Sequence, residues 1–240
     1  MAPLSPMMQQ YFELKERHKD HILFFRLGDF YEMFFDDARL ASQELDLTLT
    51  GRECGQEERA PMCGVPYHSC EAYIARLVKK GYKVAICEQI DDPKTTRGML
   101  RREVVRVITP GTLIEDAMLE EGSNNFIASV FVGDGMFGLA FADISTGEVH
   151  LNQVPEEDET ALQNELARFS PSEVIFNSDF LSKNKMGAFL KDRLRCCADM
   201  IGDEVFEQSN IQRLLEKQFG HTALEGLALL SKRPIAFALG

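Results

Sequence analysis

At 240 residues, with 45% apolar and 27% charged side chains, the chain has the length and balance of two ordinary globular domains, not of a disordered protein. Its formal net charge of −12 argues against one continuous basic face, and no apolar run nears the roughly 18 residues of a membrane span. The first residues carry no basic-then-apolar leader and the six cysteines show no framework spacing, so free thiols in a reducing cytoplasm are expected.

Ser5 and Pro6 predict a helix start, with a hydroxyl N-cap and proline at the first helical position. Met7, Met8, Tyr11, Phe12 and Leu14 carry its apolar stripe to about Arg17. A short apolar strand over 22–27 ends at Gly28, helical spacing returns over 35–45, and 47–50 alternates as a strand. Residues 51–60 are polar and contain glycine, which predicts a loop, and glycine and proline force a defined loop over 64–68. Ser69 is the expected cap of a second helix, striped by Tyr73, Ile74, Leu77 and Val78 and stopped at Gly81. Strands over 83–89 and 104–109 flank a loop rich in Pro, Thr, Gly and Arg over 91–102. Residues 1–112 therefore read as a mixed sheet with helices packed on it, and 113–124 as a linker.

Residues 125–240 open with three β runs, over 126–132, 136–143 and 148–154, joined by turns at Gly133-Asp134-Gly135 and Ser145-Thr146-Gly147. A helix bearing Leu162, Leu166 and Phe169 follows, then a strand over 174–176 and helices near 183–194, 211–219 and 222–230. A meander followed by strand–helix alternation predicts an α/β domain of ribonuclease-H-like type, so the whole chain is expected to be α/β in two domains.

The acidity is unevenly placed. Residues 1–115 hold 16 basic and 18 acidic side chains, whereas 116–240 hold 10 and 20. Within 79–106 the balance reverses, 8 basic against 4 acidic, which leaves a local basic stretch in the first half. Arg52, Arg76, Lys79, Lys94, Arg97, Arg101 and Arg102 are the candidate phosphate contacts there, residues that position a protein on a duplex without reading bases.

The run Arg26-Leu27-Gly28-Asp29-Phe30-Tyr31-Glu32 sets two aromatics and a carboxylate beside a glycine. Most phenylalanines are core residues, but 24–35 hold more large aromatics than one strand face can hide. In an extended stretch Glu32 shares a face with Phe30, and Tyr31 lies opposite. The run closely resembles the mismatch-recognition motif of the bacterial DNA mismatch repair MutS family. Further segments agree with that family in order: Pro6-Met7-Met8-Gln9-Gln10-Tyr11, Pro61-Met62-Cys63-Gly64-Val65-Pro66-Tyr67-His68, Val84-Ala85-Ile86-Cys87-Glu88-Gln89 and Val107-Ile108-Thr109-Pro110-Gly111-Thr112. The likeness is very specific over the first half and continues, more weakly, over the second as a connector domain; the family's core, clamp and ATPase domains have no counterpart in these residues.

The resemblance implies that Phe30 enters the minor groove and stacks on a mispaired base while Glu32 hydrogen-bonds that base. It implies that Met62, Tyr67 and His68 lie near the same groove. It further implies mismatched or looped duplex DNA as ligand, a MutL-type repair factor as partner of the connector, and a dimeric or tetrameric whole protein with ATP and magnesium bound elsewhere. These residues alone are expected to bind DNA as a monomer without catalysis or cofactor. Two other readings stand beside it. Asp143 ends a strand as a nuclease metal ligand does, but Asp134, Glu148 and Asp179 show no spacing that singles them out for two-metal chemistry. The acidic second half also suits a purely protein-binding module. A zinc site from Cys63, His68 and Cys70 lacks knuckle spacing.

Overall fold

The computed structural model describes residues 3–91, 98–115, 118–119, 121–220 and 233–239. The predicted helix over 222–230 lies outside them, as do residues 92–97 of the loop over 91–102. The chain divides into two compact units, Met1–Pro110 and Gly111–Gly240. Each is built on a mixed sheet, which makes the chain α/β.

In the first unit α1 (Pro6–Arg17) begins as its sequence predicts, Ser5 Oγ accepting from the Met8 amide at 3.4 Å. β1 (His21–Leu27) turns at Gly28 into β2 (Phe30–Phe34), which leads into α2 (Phe35–Leu45). β3 (Thr50–Arg52), β4 (Ala60–Pro66), α3 (Cys70–Lys79), β5 (Lys83–Gln89) and β6 (Arg102–Ile108) follow. The strand order is β3-β4-β2-β1-β5-β6, with β1 and β5 parallel and the other neighbours antiparallel. One face carries α1, where Met8, Tyr11 and Leu14 pack on Leu23, Phe25 and Phe34. On the other, the Cys63 thiol donates to the Ala38 carbonyl at 3.4 Å, which places α2 there.

One buried charge binds these layers. Asp37, at the start of α2, accepts from Lys15 Nζ of α1 at 2.9 Å and from the Leu23 amide of β1 at 3.0 Å, with the Tyr11 hydroxyl at 3.5 Å.

Three local expectations change. The strand expected over 47–50 begins only at Thr50, and the loop expected over 51–60 shrinks to 53–59, because Gly51 and Arg52 pair with Pro61 and Ala60. Residues 64–66 are strand, not loop: Gly64, Val65 and Pro66 stand opposite Glu32, Tyr31 and Phe30 of β2, and that ladder carries the chain straight through the glycine and proline. Ser69 precedes α3 but caps nothing, since its hydroxyl turns back to the Pro66 carbonyl.

In the second unit β7 (Phe126–Gly133), β8 (Met136–Asp143) and β9 (Glu148–Pro155) form the meander. Asp134 and Gly135 both have positive φ, the two-residue turn that matches strand twist. α4 (Glu159–Phe169), β10 (Glu173–Phe176), α5 (Asn184–Ala188), a π-helical turn Phe189–Leu194, β11 (Cys197–Met200) and α6 (Gln208–Phe219) complete it, with a last helix Arg233–Leu239. The sheet order β11-β10-β7-β8-β9, antiparallel in the meander and parallel across β7, β10 and β11, is the ribonuclease-H-like arrangement expected. β11 escapes sequence reading because Cys-Ala-Asp-Met is a short, half-polar edge. Asp143 is buried and bonded to the Ser145 hydroxyl and to the amides of Asn125, Ser145 and Thr146, so its oxygens hold the β8–β9 loop.

Candidate nucleic-acid interface

The site is assembled at one end of the first sheet. β1 and β5 finish there, β2 and β6 begin there, and β4 delivers Pro66 there, opposite Phe30. The Gly28-Asp29 turn, the Tyr67–Ser69 turn and the segment between β5 and β6 therefore leave the sheet at the same end.

Gly28 has φ of +57°, a left-handed conformation that glycine adopts without a Cβ penalty, and it lets the chain reverse in two residues so that Leu27 pairs with Phe30. The six large aromatics then separate cleanly. Phe24, Phe25, Tyr31 and Phe34 are buried, Phe35 is partly buried, and Phe30 is 46% exposed at the first position of β2. Alternation along β2 puts Glu32 on the same face as Phe30 and sends Tyr31 and Met33 into the opposite layer.

Two sets of contacts brace the turn. On the Tyr31 side, the Arg26 guanidinium lies over the Tyr67 ring at 3.7 Å, its Nε donates to the Gly28 carbonyl at 2.6 Å, and it pairs with Glu88 at 3.5 Å. The Tyr67 amide closes the bracket by donating to the Asp29 carbonyl at 3.0 Å. The Tyr31 hydroxyl donates to Glu88, and desolvation, with that bond second, pushes its pKa far above the ordinary phenol value. On the Phe30 side, Arg52 Nη1 reaches across from β3 and donates to both Glu32 carboxylate oxygens, at 2.7 and 2.6 Å. Gly64 stands opposite Glu32 in register, and a Cβ there would sit 3.4 Å from Glu32 Cγ.

The other candidates scatter. Met62 lies within β4, partly buried against the α1 core. Tyr67 and His68 are exposed beside the turn, their rings edge to face. Arg101 is exposed at the same sheet end, paired with Glu103 at 3.4 Å. Arg102 is buried: it donates to the Arg26 carbonyl and to Gln10 and lies over the Phe25 ring, which removes it from the surface cations. Arg76 donates to the carbonyls of Glu44 and Leu45 and to Asp46, closing the C-terminal end of α2. Lys79 is in the last turn of α3, next to the start of β5 and so at the opposite sheet end from Phe30. Lys94 and Arg97 lie outside the described residues. Sequence reading missed Arg26 and Glu88 as bracing residues; the available signal was a charged side chain facing inward at the end of an otherwise apolar strand.

Among the described residues no group of three His, Cys, Asp or Glu side chains is placed to hold a metal ion, and no helix is long and apolar enough to cross a membrane.

Two family models match the chain. Residues 5–117 match the model of MutS domain I and residues 125–240 that of MutS domain II. The chain is 50% identical over 216 residues to the DNA mismatch repair protein MutS of Acetivibrio thermocellus, covering 89% of the chain and 25% of that relative. It is 45% identical over 238 residues to that of Caldanaerobacter subterraneus subsp. tengcongensis, covering 99% of the chain and 27% of the relative. The chain thus spans about a quarter of the length of the curated relatives it matches.

Proposed function

The chain belongs to the MutS family, and from that premise we propose that it recognises mismatched or looped duplex DNA in mismatch repair, with Phe30 as a minor-groove wedge and Glu32 as the partner of the displaced base. The observation that carries the reading is the exposure of Phe30, alone among the large aromatics of β1 and β2, with a carboxylate two residues away on the same face.

The physics favours errors over sequence. An apolar wedge unstacks a base step and kinks the duplex. Displacing a base costs a few kcal/mol, least where pairing is already poor. Bending the site costs on the order of 1–6 kcal/mol by smooth elastic estimates. A mismatch lowers both terms, so a rigidly held wedge discriminates by deformability. Arg101, with Lys94 and Arg97 on the same β5–β6 connection, supplies the phosphate contacts that hold the protein in register.

The second unit offers an acidic surface with Ile144, Leu181 and Met200 exposed, and we assign it the docking of a MutL-type repair factor. ATP and magnesium belong, on this reading, to the part of the family's length that these residues do not span.

The test is titration of the 240-residue chain against fluorescent duplexes that differ by one mispair or one unpaired base, at low salt. Tighter binding to the defective duplex is expected. Equal binding to both, or none by folded protein, refutes the reading.

A further inference from the structure

We propose that Arg52 is a specificity-determining residue: it holds Glu32 as a masked ion pair until a mispaired base takes the carboxylate from it. The proposal rests on the reading of Glu32 given above and adds a competitor for it.

Glu32 is not a free carboxylate waiting at the groove. Its side chain is only 13% exposed, and a single nitrogen of Arg52 engages both its oxygens. Arg52 itself sits on the edge strand β3, 38% exposed, with solvent on its outer side. The pair is therefore exchangeable, not a sealed core bridge, and its strength is that of a part-exposed pair.

The consequence concerns matched DNA. A bare carboxylate beside a phosphate backbone is repelled, and a like charge held near a partner disfavours the wrong complex. With Arg52 in place, Glu32 presents a neutral pair to any duplex. A displaced base brings to Glu32 a donor that a paired, stacked base keeps in its own pair, and on this proposal that donor replaces Arg52. Arg52 thus sets the threshold at which Glu32 engages, and it acts through Glu32 without reading a base.

The experiment is a double-mutant cycle in the 240-residue chain with Arg52→Gln, Glu32→Gln and both together, titrated on matched and mismatched duplexes, with circular dichroism confirming the fold of each. Arg52→Gln should weaken matched binding more than mismatched, raising the ratio by about 3- to 5-fold, the scale of a part-exposed pair. In the Glu32→Gln background the same substitution should leave the ratio unchanged, and Arg52→Lys, which restores the positive charge, should bring it back toward wild type. NMR of the free chain should show hindered rotation of the Arg52 guanidinium, released by Glu32→Gln. Equal weakening of both duplexes by Arg52→Gln makes Arg52 a plain phosphate contact and overturns the proposal, as does a free guanidinium in the wild-type chain. If the wild-type chain has no preference for mismatched duplex, the functional reading fails and this inference fails with it; a preference with additive substitutions sinks the inference alone.

Discussion

The Arg26 guanidinium stacks over the Tyr67 ring at 3.7 Å while its Nε donates to the Gly28 carbonyl at 2.6 Å. One side chain thereby joins the end of β1, the turn that bears Phe30 and the turn that follows β4.

A wedge transmits force to a base stack only if its own base is stiff, and this bracket supplies the stiffness. Arg26→Met should cost about 2–4 kcal/mol of stability, the sum expected of a part-exposed cation–π contact and one charged hydrogen bond. Its effect on recognition should be larger than its effect on melting: mismatched binding falls while salt-dependent binding to matched duplex persists. Arg26→Lys keeps the charge for Glu88 but not the planar stack, and should recover stability without full recognition. If both variants lose matched and mismatched binding in proportion to their melting temperatures, the bracket is merely structural.

Phe30 and Phe24 are a natural contrast within one hairpin. Phe24 is fully buried and Phe30 nearly half exposed. Phe24→Ala should cost about 3–5 kcal/mol by leaving a cavity. Phe30→Ala should stay within about 0.5 kcal/mol of wild type in chemical denaturation, yet abolish the preference for mismatched duplex. A large stability loss at Phe30 would make it a core residue in solution.

The Asp37 cluster predicts an unusual pH response. Burial raises the Asp37 carboxyl above its ordinary value, and the bonds from Leu23, Lys15 and Tyr11 only partly oppose it. The folded chain then holds this proton after the unfolded chain has released it, so the Asp37 contribution is greatest below the unfolded pKa of about 3.9 and declines as pH rises through the folded one. The stability advantage of wild type over Asp37→Ala should therefore shrink from pH 3.5 upward, in urea titrations compared at each pH. An advantage that grows with pH would mean that Lys15 dominates and the folded pKa is depressed.

What was readable in the sequence follows from how local each signal is. α1, β1, α2 and β5 announce themselves through caps and apolar spacing within a few residues, and the turns at Gly28 and Asp134-Gly135 through residues that tolerate positive φ. β4 was unreadable because its Gly64, Pro61 and Pro66 are turn residues by local rule; only pairing with distant strands, Gly64 and Pro66 with β2 and Pro61 with β3, overrides them. At the site, alternation alone put Phe30 and Glu32 on one face. The Glu32–Arg52 pair spans 20 positions and two strands, and the burial of Arg102 depends on Gln10, 92 positions away. Contacts of that range are set by tertiary packing, and no local pattern carries them.

The second unit offers a test at Gly138, in the middle of β8. A Cβ there would lie 1.8 Å from the Pro234 carbonyl oxygen and 2.2 Å from its carbon, both backbone atoms of the helix Arg233–Leu239. Unlike the tip of a flexible side chain, that backbone yields only if the helix moves. The helix places Ile235 and Phe237 against Phe206, Ile211 and Leu215, with the Phe237 ring edge-on to Phe131 at 4.9 Å, so moving it disturbs that cluster as a whole. Gly138→Ala should cost at least the 1–3 kcal/mol typical of overpacking, and hydrogen exchange should speed up in 233–239 and in α6 while the amides of β1 and β2 stay protected. Gly28→Ala is the matched control: nothing lies within 4 Å of its added Cβ, and its penalty is only that of a positive φ, about 1 kcal/mol. Equal penalties at the two glycines would show that the helix is not seated on β8 in solution.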